Sequence, residues 1–349
     1  MLARMIPSAQ RKFAVTFLPC RFVACLGLFW LAGMLTSLPA KADETKSART
    51  APVPVILDTD IGDDIDDTWA LALLLKSPEL DLKLVVGDYG KAQYRAKLLA
   101  KLIERAGRTN VSVGVGLDIP PRGDGHQGPW VRDYDLESYP GKVFTNGVQA
   151  IIDTIMNSPQ PVTLICIGPV PNIAEALKRE PRIAQHARFV GMDGSVRLGY
   201  GTPKPCAEWN VKCDPQAMQA VFAAPWDITI TPLDTCGLVT LAGDKYARVR
   251  GATDRNVADL IANYRLWVAD QPALAADMAD HHSTTLFDTV AVYLALGSDQ
   301  CVMEKLNLCV TDDGFTVVDP QARKVNVATK WKNLDAYEDF LVERLAGTP

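Results

Sequence analysis

Short runs of β-branched and aliphatic residues recur along the chain, separated by longer stretches with helical spacing of their apolar positions. Val53–Asp58 (VPVILD), Leu82–Gly87 (LKLVVG), Val111–Gly116 (VSVGVG), Val162–Gly168 (VTLICIG) and Asp227–Asp234 (DITITPLD) read as buried strands. Gln93–Ala106, Asn172–Arg179 and Pro215–Ala224 read as helices between them. Strands alternating with helices predict an α/β domain, Rossmann-like, with a mainly parallel central sheet and helices on both faces. In such sheets ligands bind beyond the carboxyl ends of the strands. After Gly297 the pattern changes. KLNLCV, the turn Asp312-Asp313-Gly314 and FTVVD predict a small C-terminal β-hairpin, KVNVATKW a further strand, and Asn333 onward a terminal helix.

The first 42 residues do not share this pattern. Arg4, Arg11, Lys12 and Arg21 make a basic start, Phe22–Leu38 is mostly apolar, and Ala40-Lys41-Ala42 has the small-x-small form of a signal peptidase site. The apolar run is shorter than the roughly 20 residues of a membrane span. The expectation is a secretion signal over 1–42, a linker over 43–54 and one domain over 55–349, in a secreted or periplasmic protein with no membrane anchor after signal removal. All 41 acidic residues follow the signal, whereas five of the 36 basic ones lie within it, so 31 basic residues face 41 acidic ones, a net charge of −10. That balance argues against nucleic acid as a partner and for a small substrate. Oligomeric state stays open, a homo-oligomer included. Of the six cysteines beyond the signal, Cys206–Cys213 and Cys301–Cys309 are candidate local disulfides for an oxidising compartment, with free buried thiols the alternative. No C-x-x-C pair is present, so zinc and thioredoxin-like chemistry find no support.

The densest chemistry follows the first strand. Residues 57–67 read LDTDIGDDIDD and run into TWALALLL. Unit charges about 4 Å apart repel by roughly 1 kcal/mol even in water, and by several at protein-like dielectrics, so converging carboxylates call for a cation among them. Alternation along a strand puts Asp58 and Asp60 on one side, Gly62 permits a tight turn, and Asp66 and Asp67 open the helix, where its dipole favours acidic groups. Hard oxygen donors suit calcium or magnesium. The spacing is not that of an EF-hand.

This stretch resembles the N-terminal signature of the inosine-uridine preferring nucleoside hydrolase family, DTDPGxDDAxAL. Asp58-Thr59-Asp60, Gly62 and the DDTWAL segment match, with two extra residues between them and Ile61 in place of Pro. Asp63-Asp64 and Asp66-Asp67 both qualify as the second pair, and the following helix favours the latter. PVTLICIGPVPNIAEALKREPRI resembles the family's strand–TGPLTN–helix segment, AEWNVKCDP resembles AEFNxxxDP, and LFDTVAVYLAL resembles the segment where an aspartate opens a metal-binding helix. Together these cover nearly the whole of the chain after the signal.

The resemblance implies a calcium ion held by Asp60, Asp67, Asp288 and the main-chain carbonyl of Ile167. It implies Asp60 as general base and Asp66, Asp88, Thr202, Glu208, Trp209 and Asn210 on the substrate. Three departures fall at the leaving-group end: Phe287 stands where many members have His, and Asp88 and Thr202 where they have Asn. The leaving-group acid is therefore open, with His126 in the Gly-rich GDGHQGPW loop and His282 ahead of His281, and with stacking on Trp209 or Trp130 as the alternative. The implied reaction is hydrolysis of a ribonucleoside to base and ribose, as in nucleoside salvage. Alternatives are a nucleoside- or sugar-binding protein of the same fold without turnover, and a hydrolase of another N-riboside such as nicotinamide riboside. Base preference is not read from the sequence.

Overall fold

The computed structural model describes residues 51–347; the expected signal peptide and most of the linker lie outside them. The strands are β1 (Val53–Thr59), β2 (Leu80–Gly87), β3 (Ser112–Gly114), β4 (Val143–Phe144), β5 (Val162–Cys166), β6 (Ala187–Met192), β7 (Ile228–Thr231), β8 (Cys301–Val310), β9 (Thr316–Val318) and β10 (Lys324–Trp331). They form one ten-stranded sheet in the order β4-β3-β2-β1-β5-β6-β7-β10-β8-β9. From β4 through β10 in that order neighbours pair in parallel, whereas β8 pairs antiparallel with both β10 and β9. The C-terminal hairpin is thus not a separate appendage. Its third strand, β10, adds to β7 and extends the sheet.

Alternation along β1 sets the two layers. Val55 and Leu57 pack into the core on one face, with the helices Asp66–Leu75, Ala92–Arg105, Arg255–Ala269, Thr289–Leu296 and Leu334–Ala346. Ile56 packs into the other, with the helices Gly147–Met156, Pro171–Arg179 and Pro215–Ala223. The helix Asp66–Leu75 is buried at every residue, which accounts for its nearly all-apolar DDTWALALLL sequence. No described helix is long and apolar enough to cross a membrane.

The chain leaves β1 toward β2 on one side and later returns to β5 on the other, so strand order reverses at β1/β5. The crevice beyond the carboxyl ends of strands at such a switch point is where open α/β sheets bind ligands. Asp60 follows β1 and Ile167 follows β5 there.

All six cysteines of the described residues are free thiols. Cys301 and Cys309 lie at the two ends of β8. Eight residues of extended chain span about 26 Å, far beyond the 4.4–6.8 Å between Cα atoms that a disulfide bridges. That candidate pair is corrected by the strand itself. Cys206 and Cys213 are unbridged as well.

Candidate active site

β1 ends at Thr59, and residues 60–65 turn into the helix Asp66–Leu75. Gly62 has φ +103°, and a Cβ there would lie 2.5 Å from the Tyr94 ring, so the turn takes no side chain at this point. Arg95 holds the turn from within. Its side chain is wholly buried and donates to the carbonyls of Asp60, Ile61 (2.8 Å), Gly90 (3.0 Å) and Tyr89 (3.3 Å), and to Asp63 Oδ2 (2.9 Å). Lys91 pairs with the other Asp63 oxygen. Against its burial, the charges of Arg95 and Lys91 hold Asp63 below its ordinary value. Arg95 is absent from the sequence-based set, yet it left a signal. It shares the buried stripe of its helix with Leu98, Leu99 and Leu102, at spacings of three, four and seven.

With Asp63 committed to the turn, the helix that follows presents Asp66 and Asp67. One carboxylate oxygen from each, and one from Asp288 at the start of the helix Thr289–Leu296, lie within 4.8 Å of one another. The Asp288 N–H donates to Asp66 Oδ2 (3.2 Å), and Thr59 Oγ1 donates to Asp67. All three residues are buried, as is Asp60, which lines the same cleft beside them. Asp66, assigned to the sugar from sequence, thus stands in the carboxylate cluster, whereas Asp60 is outside the set of three.

Burial pushes Asp60 up to about 7, with repulsion from Asp63 and Asp64 added and Arg95 opposing. Burial likewise raises Asp66, Asp67 and Asp288 well above the carboxylate range, and their mutual repulsion adds to it. Asp58 Oδ2 and both oxygens of Asp88 are buried without a hydrogen-bond partner, and burial pushes Asp58 to about 7. Arg95 is the one buried cation beside this group among the described residues, and its donors are taken up by the turn. Convergent, uncompensated, all-oxygen donors fit a hard divalent cation. The backbone leaves room for it: a Cβ on Gly168, next to Ile167, would sit 2.7 Å from Asp60 Oδ1 and 2.8 Å from Asp88 Oδ1.

Asp60 lines the cleft, and Asp58 does not. Asp58, fully buried near the end of β1, accepts a 3.0 Å hydrogen bond from Asn172 Nδ2. Asn172 also donates to Gly87 (3.1 Å) and accepts from Leu117 N–H (3.0 Å), tying β1, β2 and the loop after β3 together.

The cleft has a volume of about 350 Å³. Besides the aspartates it is lined by Glu208, Trp209 and Asn210. Glu208 caps the helix Trp209–Cys213 and accepts from the N–H groups of Gly194 (3.0 Å), Asn210 (2.9 Å) and Val211 (3.3 Å). Asn210 Nδ2 donates to the Met192 carbonyl at the end of β6 (2.9 Å). Tyr200, which the sequence did not single out, donates to Glu208 (3.3 Å), accepts from Trp209 N–H (3.0 Å) and stands edge-on to Phe287, ring centres 5.9 Å apart. The remaining wall carries His126, Trp267 and Gln271.

Several sequence-predicted residues lie elsewhere. Thr202 is exposed in a turn closed by Gly199, its hydroxyl bonded to the Lys204 carbonyl (3.1 Å), and it does not line the cleft. His282 is exposed, with Nδ1 on its own neighbour's carbonyl (Ser283, 2.9 Å); His281 pairs with Asp277 (3.2 Å). Neither reaches the cleft, because the bridge between His282 and Ala242 holds this segment away from it. Trp130 packs under Lys101, 4.6 Å from its ring centre. Asp88 lies behind the cleft wall, buried beside Asp58 and Asp60.

Known proteins similar to this chain are nucleoside hydrolases. The non-specific ribonucleoside hydrolase RihC of Klebsiella pneumoniae subsp. pneumoniae is 32% identical over 224 residues, covering 61% of this chain and 72% of the relative. Among solved structures, the plant nucleoside hydrolase PpNRh1 superposes with a TM-score of 0.72 at 22% identity, covering 85% of this chain and all of that one. The purine-preferring ribonucleoside hydrolase from Gardnerella vaginalis gives 0.69 at 23%, covering 84% and 98%. The family model of the inosine-uridine preferring nucleoside hydrolases matches residues 55–344. The chain belongs to that family, and it is a nucleoside N-ribohydrolase.

Proposed function

We propose that this hydrolase cleaves ribonucleosides to base and ribose with one calcium ion held by Asp60, Asp66, Asp67, Asp288 and the Ile167 carbonyl. The observation that carries the site is the convergence of three buried carboxylates on the floor of the one cleft that lies at the β1/β5 switch point. When bound, the ion would balance those charges and make a water molecule more acidic.

The chain's own residues supply the rest. Asp60 takes the proton from the attacking water as general base. Glu208 and Asn210, fixed by the helix cap and by Met192, orient the ribose hydroxyls toward the floor. As the bond from C1′ to the base nitrogen breaks, positive charge spreads over C1′ and the ring oxygen, and the surrounding carboxylates stabilise it. His126 gives the departing base its proton, since Phe287 cannot. The N-terminal signal pattern supports export, which would place this activity in the periplasm or outside the cell.

The test is release of free ribose from a panel of purine, pyrimidine and pyridinium ribosides, with and without a calcium chelator, beside metal analysis of the purified protein. Ribose release that the chelator stops and calcium restores, with one calcium per chain, is expected. Binding of nucleosides without release of ribose from any of them would instead favour a binding protein of the same fold. Stoichiometric zinc in place of calcium would overturn the metal assignment.

A further inference from the structure

The C-terminal end of the helix Arg255–Ala269 reaches the cleft from outside the aspartate turn. Trp267 Nε1 donates to the Asp63 carbonyl (2.9 Å), Gln271 lines the wall, and Asp270 is the residue that closes the helix. His126 also lines the cleft, on the loop before the short helix Gly128–Val131. The two segments meet at one contact, His126 Nδ1 to Asp270 Oδ2, at 2.8 Å. The Trp267 ring stands edge-on to the imidazole, centres 6.3 Å apart.

We infer that Asp270 is a positioning residue that holds His126 as the proton donor to the leaving base. This rests on the proposal that His126 is the leaving-group acid. A carboxylate is acceptor-only when ionised, so the Asp270 contact takes the N–H of Nδ1 and leaves Nε2 as the nitrogen free to serve the cleft. It also limits the ring's rotation, on a loop that nothing else on this imidazole anchors by hydrogen bond among the described residues. The charged groups facing the ring are Asp270, Asp64 and the negative end of the Arg255–Ala269 helix dipole. The balance of the step is simple. The proton on Nε2 passes to the base nitrogen as the bond to C1′ breaks, and His126 is reprotonated from solvent, to which its side chain is 37% exposed. His126 thus lines the same cleft as Phe287, and Asp270 orients it from a segment that no sequence motif marks.

The experiment compares the full-length protein with His126→Ala, Asp270→Ala and the double variant, on inosine and on p-nitrophenyl riboside, whose leaving group departs without a proton. Both side chains are solvent-accessible, 37% and 65% exposed, so each variant is expected to fold, as a melting curve for each would check. His126→Ala should lower kcat on inosine by about 10²–10⁴-fold and leave the nitrophenyl substrate nearly unchanged. Asp270→Ala should cost about 10–100-fold in the same substrate-selective way, the scale usual when the group orienting an active-site imidazole is lost. In the His126→Ala background, Asp270→Ala should cost nothing further, because it acts only through the ring. If His126→Ala is active on inosine, the leaving-group assignment fails and this inference with it. If His126→Ala is impaired but Asp270→Ala is not, or if Asp270→Ala still lowers activity in the double variant or slows both substrates alike, the positioning role alone is overturned.

Discussion

The floor and the rim of the cleft are built on opposite principles. On the floor, Asp60, Asp66, Asp67 and Asp288 are each no more than 6% exposed, and three of the four come from one stretch of eight residues. On the rim, Tyr200 and Trp209 are 47% and 55% exposed, and the His126–Asp270 contact joins residues 144 apart. A buried charge cluster is strongly coupled to whatever ion neutralises it, because low-dielectric surroundings magnify each charge. An exposed rim is screened by water and salt, and can change its aromatic and polar groups at little cost to the fold. The difference teaches that the floor is fixed by its buried charge and the rim by what its exposed groups can touch. Of the three departures from the family pattern, Phe287 stands against Tyr200 and Thr202 is exposed outside the cleft, whereas Asp88 is buried beside Asp58 and Asp60.

The sharpest way to break that contrast is Asp60→Asn. Ribose release should fall by about 10²–10⁴-fold, as expected for loss of a general base, while nucleoside affinity by calorimetry stays within about tenfold, or ~1.4 kcal/mol. A loss confined to affinity would make the floor a binding surface only. Next comes Arg95→Met, which leaves the turn's carbonyls and Asp63 without their buried partner. Breaking a buried charge pair from one side costs about 3–5 kcal/mol, so the urea midpoint should drop markedly; an unchanged midpoint would show that the turn holds its own shape.

A smaller effect separates the floor from the rest of the molecule by pH. Without a metal, Asp58 and Asp60, raised by burial to about 7, bind protons in the folded chain that the unfolded chain, with ordinary carboxylates, has already released. The sign follows: metal-free stability falls as pH rises from about 4 to about 7, and the penalty is fully present above that range. Calcium should therefore raise the melting temperature more at pH 7.5 than at pH 5, the stabilisation at pH 7.5 being about 2.7 kcal/mol at a hundredfold excess over its Kd there. A shift independent of pH would argue that the ion binds elsewhere. The smallest effect belongs to the rim. Trp209→Ala should weaken nucleoside binding by roughly 0.5–1.5 kcal/mol, read as a rise in KM with kcat nearly kept.

Much of the fold was legible in the chain, and for local reasons. β1, β2, β3, β5 and β7 are short β-branched runs flanked by polar or turn residues, and the helices between them keep their apolar spacing. β4 has only two residues, too few for any period, and β6, ARFVGM, breaks its run with Arg188, whose guanidinium bonds Thr163 Oγ1 across the sheet (2.9 Å). The site was legible where it is contiguous. The two aspartates that open the helix Asp66–Leu75 follow from one another by helical geometry, and Glu208 and Asn210 by a single cap.

The sequence by itself determined the layered α/β architecture, the family, and the acidic floor, because each depends on residues near one another along the chain. Tertiary structure alone decided the rest. It committed Asp63 to Arg95, and it set Asp288, which the family resemblance had already implied as a partner of Asp67, beside Asp66 and Asp67 from 221 residues away. It kept His282 and Thr202 out of the cleft and set Asp270 against His126. The physical reason is the same in each case: strand and helix periods carry a side chain's direction only within one element. Which two elements meet at a cleft is set by how the sheet orders its strands and how the helices pack across it.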